Sequence, residues 1–191
     1  MAHEVGHFLN ERHRPVAEQG FVCTGRDLAA AARQGRHQRQ ELEANAFAIE
    51  VLAPRRWLGP HLRPLPGLAH ALAMADRFDI SREAAVRRYV DLRDGALAAV
   101  FSREGRVRYV VRTDDFPSLR PWRGDDITGL LPGLVPHDLA DMDEADAEAS
   151  LTRPKGFDLF SRTRFQADDY AITLLVAEAT EPEEDAPGFR R

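Results

Sequence analysis

His3 and His7, in the run His3-Glu4-Val5-Gly6-His7, constrain the fold more than any other feature of the chain. On an α-helix, positions i and i+4 lie on one face, so both imidazoles can reach a single metal ion while Glu4, one residue along, flanks it. Zinc accepts neutral imidazole nitrogen readily, and a catalytic zinc site keeps three protein ligands plus a water whose pKa falls to about 7. His3 and His7 are therefore candidate metal ligands, and Glu4 is the candidate catalytic residue that takes the water's proton. As an alternative, Glu4 is a first-turn acid favoured by the helix dipole.

Such a site needs a third ligand, and two candidates stand in the sequence. His13 completes His3-Glu4-Val5-Gly6-His7-Phe8-Leu9-Asn10-Glu11-Arg12-His13, a spacing similar to that of the metzincins. Asn10 then stands where glycine normally turns the chain, and Asn tolerates the left-handed conformation better than most residues. The other candidate is Glu41, in Glu41-Leu42-Glu43-Ala44-Asn45-Ala46-Phe47-Ala48 followed by Ile49-Glu50-Val51-Leu52-Ala53-Pro54. Glu41 and Asn45 form an i,i+4 pair on one helix face, with Ala48 and Leu52 continuing the register. Ligating histidines need acceptors on their other ring nitrogen, and Asn45 could supply one from beyond the ligand set. Glu43 is the fallback carboxylate, two residues from Glu41 and so on another face of the helix.

The pairing of H-E-V-G-H with E-x-x-A-N-A-F-A-I-E-V-L-A-P resembles the ImmA/IrrE family of metallo-endopeptidases, over residues 2–54. In that family the two histidines and the glutamate four residues before the Asn bind zinc. The resemblance thus implies Zn2+ held by His3, His7 and Glu41, with Glu4 as acid/base, and it decides for Glu41 over His13. The family's next segment, an alanine-rich helix, an F-x-x-S turn and a helix with A-x-x-R, is similar to Ala71 to Arg77, Phe78-Asp79-Ile80-Ser81 and Ala84-Ala85-Val86-Arg87. Past about Pro117 only a general pattern of strands, as in a sensor-like C-terminal region, is shared. The family's substrate is a helix-turn-helix repressor of a stress or mobile-element regulon, cleaved once to release its operator. Family members carry strands and the start of the active-site helix before H-E-x-x-H, so this chain is expected to be short at its N-terminus, from a late start codon or a truncated gene. The ligand helix would then lack an N-cap, and the cleft an edge strand for pairing with an extended peptide.

Pro54, Pro60, Pro64 and Pro66 mark a helix stop and a linker. The expected organisation is a metallopeptidase core over 1–60, a helix-turn-helix-like connector over 61–94, a β-containing domain over 95–179 and a solvated tail over 180–191. The connector comprises helices at Leu68 to Arg77 and Arg82 to Arg93, the second capped by Ser81. Strands are expected at Leu97 to Ser102, Val107 to Thr113 and Tyr170 to Ala177, and the acidic stretch Asp138 to Glu148 is expected to be solvated. The fold class is α+β: a zincin-like helical domain, the connector, and the β-containing C-terminal domain. Phe47, Ala48, Val51 and Leu52 form an apolar stripe expected in the core, and Trp57, Phe116 and Trp122 are expected packing anchors. His37, His61, His70 and His137 have no ligand-like spacing, and Cys23 has no partner for a disulfide.

The 191 residues include 26 Lys+Arg and 31 Asp+Glu, a formal net charge of −5 that argues against a protein that coats nucleic acid. The first 94 residues carry 14 arginines against 12 carboxylates, the rest 12 basic against 19 acidic groups. Arg82, Arg87, Arg88 and Arg93 could touch DNA, but Asp76, Asp79, Glu83, Asp91 and Asp94 dilute that face, so such contact is not expected. With no apolar run of about 20 residues and no signal-peptide pattern, a cytoplasmic location without membrane contact is expected. Two further readings remain: a non-catalytic sensor or transcription regulator with a degenerate metal site, and a metzincin-like protease using His13.

Overall fold

The computed structural model describes residues 2–13, 36–62, 65–121, 123–127 and 142–180, with backbone alone for 36–38. The expectations for Cys23, Trp122, His137, the His37 side chain and the 181–191 tail lie outside these residues. The fold is mixed helix and sheet. Helix α1 (Ala2–Leu9) is followed by α2 (Arg36–Leu52), a 3-10 turn at Arg55–Trp57, the single turn α3 (Gly59–Leu62), α4 (Leu68–Phe78) and α5 (Arg82–Leu92). Then come β1 (Ala96–Arg103), β2 (Arg106–Arg112), β3 (Asp143–Ala145), the turn α6 (Ala147–Ser150), β4 (Phe157–Phe165) and β5 (Tyr170–Ala179). The strands form one antiparallel sheet in the order β2-β1-β5-β4-β3.

Local chemistry accounts for the helical hairpin. Helix α4 buries Leu68, Ala71, Leu72, Met74 and Ala75, the i, i+3, i+4 stripe of a helix lying on a core. It stops at Asp79, whose left-handed conformation (φ 49°) returns its N–H to the Ala75 carbonyl. Ser81 opens α5 as expected, its Oγ accepting the Ala84 N–H at 3.1 Å. The β1–β2 connection is tighter than the four residues, Arg103 to Arg106, that separate the expected strands. Arg103 and Arg106 pair across the ladder, leaving a two-residue turn in which Glu104 (φ 52°) and Gly105 (φ 71°) both take positive φ, the twist a right-handed hairpin requires.

The sheet is buried on both faces. On one side Leu97, Ala99 and Phe101 of β1 and Ile172, Leu174 and Val176 of β5 pack with Leu68, Met74, Val86 and Tyr89 of the hairpin and with Ala53 and Leu58. This core runs continuously across residue 94. On the opposite face Phe116, Ile127 and Leu151 pack against Val100, Leu159 and Leu175 of the sheet.

Several expectations are corrected here. Phe116 is buried, but Trp57 is 55% exposed, with the Arg56 guanidinium over its ring. The Phe47 to Leu52 stripe is not core: Val51 and Leu52 are exposed, Phe47 and Ala48 are half-buried, and the residues of this region fully withdrawn from solvent are Ala44 and Ala53. The acidic 138–148 stretch is not uniformly solvated over its described part, since Asp143–Ala145 adds an edge strand and Ala145 is buried. Strand β4 is also absent from the expected elements. Its Ser161 and Arg162 are polar residues in buried positions, Arg162 being held by an ion pair to Asp143 at 2.6 Å, and they mask the apolar run that would signal a strand.

No helix among the described residues is long and apolar enough to cross a membrane. Of the four arginines considered for DNA contact, three are engaged within the chain. Arg88 is buried against Glu50, Arg93 donates to the Leu62 carbonyl at 2.8 Å, and Arg87 lies over Tyr109.

Candidate metal centre

Helices α1 and α2 pack closely because Gly6 faces Ala44. A Cβ at Gly6 would meet the Ala44 Cα and carbonyl oxygen at 3.1 Å and the Phe47 ring at 3.2 Å. That approach turns the i,i+4 face of α1, carrying His3 and His7, onto Glu41 in the second turn of α2.

Two imidazole nitrogens and a carboxylate meet there. The Nε2 atoms of His3 and His7 lie 3.1 Å apart, His3 Nε2 lies 3.2 Å from Glu41 Oε2, and His7 Nε2 lies 3.1 Å from Glu41 Oε1. Among the described residues this is the one cluster of three such side chains close enough to share a metal ion. Ligand bonds of about 2.0–2.1 Å in a tetrahedral zinc site put neighbouring donors about 3.3 Å apart, near the 3.1 Å between the two imidazole nitrogens and the 3.1 to 3.2 Å from each to its nearer Glu41 oxygen. The donor chemistry, two imidazoles and a carboxylate, also suits zinc. His7 and Glu41 are buried and His3 half-buried, while Glu4 is exposed at the next position of α1. Burial holds the His7 imidazole below its ordinary pKa, reinforced by His3 and His13 and opposed by the Glu41 charge. The neutral form that can ligate a metal is thereby favoured.

Asn45 sits one turn after Glu41, and its Oδ1 lies 2.9 Å from His3 Nδ1. An amide oxygen only accepts, so this bond favours the His3 tautomer with its proton on Nδ1, whose Nε2 can present a lone pair to a metal.

His13 occupies a different position from a third ligand. Helix α1 ends at Leu9 and the chain turns at Asn10, whose carbonyl accepts the His13 N–H at 2.9 Å and whose Oδ1 accepts the Arg12 N–H at 3.2 Å. The turn lays His13 beside the outer edge of His7, with the two Nδ1 atoms 2.9 Å apart, so His13 faces the nitrogen opposite the one turned to Glu41. Beyond it, His13 Nε2 and Asn10 Nδ2 both point at Glu43 Oε2, at 3.0 and 2.9 Å, and those two nitrogens are 2.9 Å from each other. Arg39 donates to Glu43 Oε1 at 2.7 Å. These bonds, Arg39's first and His13's next, hold the Glu43 carboxyl down to about 2. Glu43, the fallback ligand, thus serves His13.

Sequence spacing did not mark Gly6, Arg39 or the pairing of His13 with Glu43. The signal that could have found the pair is the turn already read at Asn10, which folds His13 back on His7. His61 and His70 lie outside the cluster. Both are half-buried, and His61 packs edge-on to Phe78.

No known family model matches this chain, and no curated protein matches it.

Proposed function

We propose that the chain is a zinc-dependent endopeptidase, with His3, His7 and Glu41 as metal ligands and Glu4 as the acid/base. The observation that carries this reading is the meeting of the His3 and His7 Nε2 atoms, 3.1 Å apart, with the Glu41 carboxylate, whose nearer oxygen lies 3.1 to 3.2 Å from each, beside a second carboxylate on the adjacent helix position. Helices α1 and α2 correspond, on this reading, to the ligand-bearing helices of a zincin-like domain. The ligand set is His3, His7 and Glu41 rather than the metzincin-like alternative, because His13 faces the far nitrogen of His7.

Zinc, when bound, supplies Lewis acidity that makes water nucleophilic near neutral pH and polarises a peptide carbonyl. The chain's own groups do the rest. Glu4 takes a proton from the attacking water and passes it to the leaving amine, so one water is consumed and a carboxylic acid and an amine are released. Asn45 orients His3. The resemblance to the ImmA/IrrE family extends the proposal to the substrate, a helix-turn-helix repressor of a stress or mobile-element response, and so to the cytoplasm.

Elemental analysis of chain equilibrated with excess zinc and then desalted tests the site. About one zinc per chain is expected in the parent and in His13→Ala, and none in Glu41→Ala. Incubation with co-encoded helix-turn-helix repressors tests the activity. Glu4→Gln should keep its zinc and lose at least about a hundredfold in cleavage rate, as removal of a general base does. Cleavage by the Gln variant at the parental rate would sink the proposed role of Glu4.

A further inference from the structure

We propose that His13 and Glu43 form a hydrogen-bonded relay that positions His7 for the metal by dictating which of its ring nitrogens is free to coordinate. The inference rests on the zinc reading of His3, His7 and Glu41.

The relay follows from the direction of each bond. Glu43 is a carboxylate clamped by Arg39 through Oε1 at 2.7 Å and approached at Oε2 by Asn10 Nδ2 at 2.9 Å and His13 Nε2 at 3.0 Å. A carboxylate only accepts, so the favourable arrangement places a proton on His13 Nε2; a bare nitrogen there would face the anion lone pair to lone pair. Asn10 Nδ2 and His13 Nε2, 2.9 Å apart, are then two donors converging on one oxygen. The relay uses the neutral ring, in which the single proton on Nε2 leaves His13 Nδ1 as an acceptor. It lies 2.9 Å from His7 Nδ1, so His7 donates from Nδ1, and with a metal seated between it and Glu41 its Nε2 presents a lone pair to that metal. Asn45 imposes the same choice on His3 in one step, by accepting from its Nδ1. Each ligating imidazole therefore has its own acceptor, one a single amide from α2 and the other a two-residue chain anchored on α2 at Glu43. Burial strengthens the second path: His7 is 2% and His13 5% exposed, so water competes poorly for the bond between them.

The roles differ from those of ligands. His13 and Glu43 act through His7, and their removal should lower metal affinity by about 10- to 100-fold, the usual effect of losing an outer partner of a ligating histidine.

The test measures zinc dissociation constants for the full chain by competition with a chromophoric chelator. Four proteins are compared: the parent, His13→Phe, His13→Gln and Glu43→Ala. His13→Phe keeps the buried ring volume and removes both nitrogens, whereas His13→Gln restores an acceptor near His7 Nδ1. The expected result is weakening by about 10- to 100-fold in His13→Phe, partial recovery in His13→Gln, and a loss in Glu43→Ala. A long-range 1H–15N NMR spectrum of the zinc-loaded parent should show His7 protonated on Nδ1 and His13 on Nε2, a signature that a purely packing role for His13 does not predict. If His13→Phe does not fold, Glu43→Ala carries the affinity test, because that carboxylate is partly exposed. Dissociation constants within about twofold of the parent in the folded variants, or a proton on His13 Nδ1 in the zinc-loaded protein, would overturn the relay while leaving the ligand assignment standing. A parent that binds no zinc would overturn both.

Discussion

Gly6 shows how one missing side chain sets the geometry of the whole metal centre. Its Cα hydrogen faces the Ala44 backbone, and the 3.1 Å contacts a methyl group would make there are tighter than nearly all real Cβ contacts. The Phe47 ring can turn aside, but the Ala44 carbonyl belongs to the hydrogen-bonded ladder of α2 and cannot. Gly6→Ala should therefore push α1 off α2 by a few tenths of an ångström and draw the two histidines away from Glu41, although alanine is the better helix former. Overpacking of this kind costs about 1–3 kcal/mol, more than the ~1 kcal/mol gained in helix propensity. The expected outcome is a lower melting temperature together with weaker zinc binding, read by thermal denaturation and chelator competition. A variant with parental affinity would show that the helices approach with room to spare.

At the scale of elements, α2 is the link between the metal centre and the sheet. Its first half carries Glu41, Glu43 and Asn45; near its end Glu50 pairs with Arg88 of α5, a guanidinium only 8% exposed. The hydrogen bond from Arg88 holds the Glu50 carboxyl below its ordinary 4.5, assisted by the Arg55 backbone N–H. A depressed folded value means that the unfolded chain binds the proton more readily. The contribution of Glu50 is then complete above 4.5 and is lost as pH falls from there through the folded value. Glu50 is itself largely exposed, so solvent screening keeps the effect small. Melting temperatures of the parent and Glu50→Gln should differ at neutral pH and converge as the pH falls below 4.5. A gap that stays constant down to pH 3 would remove the ion pair from the account of how α2 docks.

Over the whole molecule, the described elements are held together unequally. The hairpin α4–α5 and the sheet share one core spanning Leu68 to Val176, whereas α1 packs chiefly on α2 and leaves Phe8 and Leu9 exposed. A metal held by His3 and His7 from α1 and Glu41 from α2 would tie the less embedded helix to the rest. Binding that favours the folded state stabilises it by about 2.7 kcal/mol at a hundredfold excess of ligand over Kd. Zinc should therefore slow amide hydrogen exchange most strongly in α1, and a chelator should reverse the effect. The protection of β1 and β5 should hardly change. Equal protection gained in α1 and in the central strands would point to a single cooperative unit instead.

Much of this was legible in the order of residues because it is local. Helical spacing predicts that His3 and His7 share a face and that Glu41 and Asn45 share another. Ser81 is recognisable as a cap because capping involves a side chain and a backbone N–H only three residues on. The hairpin helices and the strands β1, β2 and β5 follow from apolar runs of ordinary length. Other features depend on which surfaces meet. The order β2-β1-β5-β4-β3 joins segments up to about 80 residues apart, and β4 was hidden by an arginine that pairs across the sheet with Asp143. Val51 and Leu52 have the composition of core residues, yet the packing of α2 leaves them exposed. His13 and Glu43 show the same division. Spacing offers each as a ligand, but the Asn10 turn and the closeness of α1 to α2 set both on the outer side of His7. A hydrogen bond between residues 30 apart requires two separate elements to arrive at one place, and that is a property of the packed chain alone.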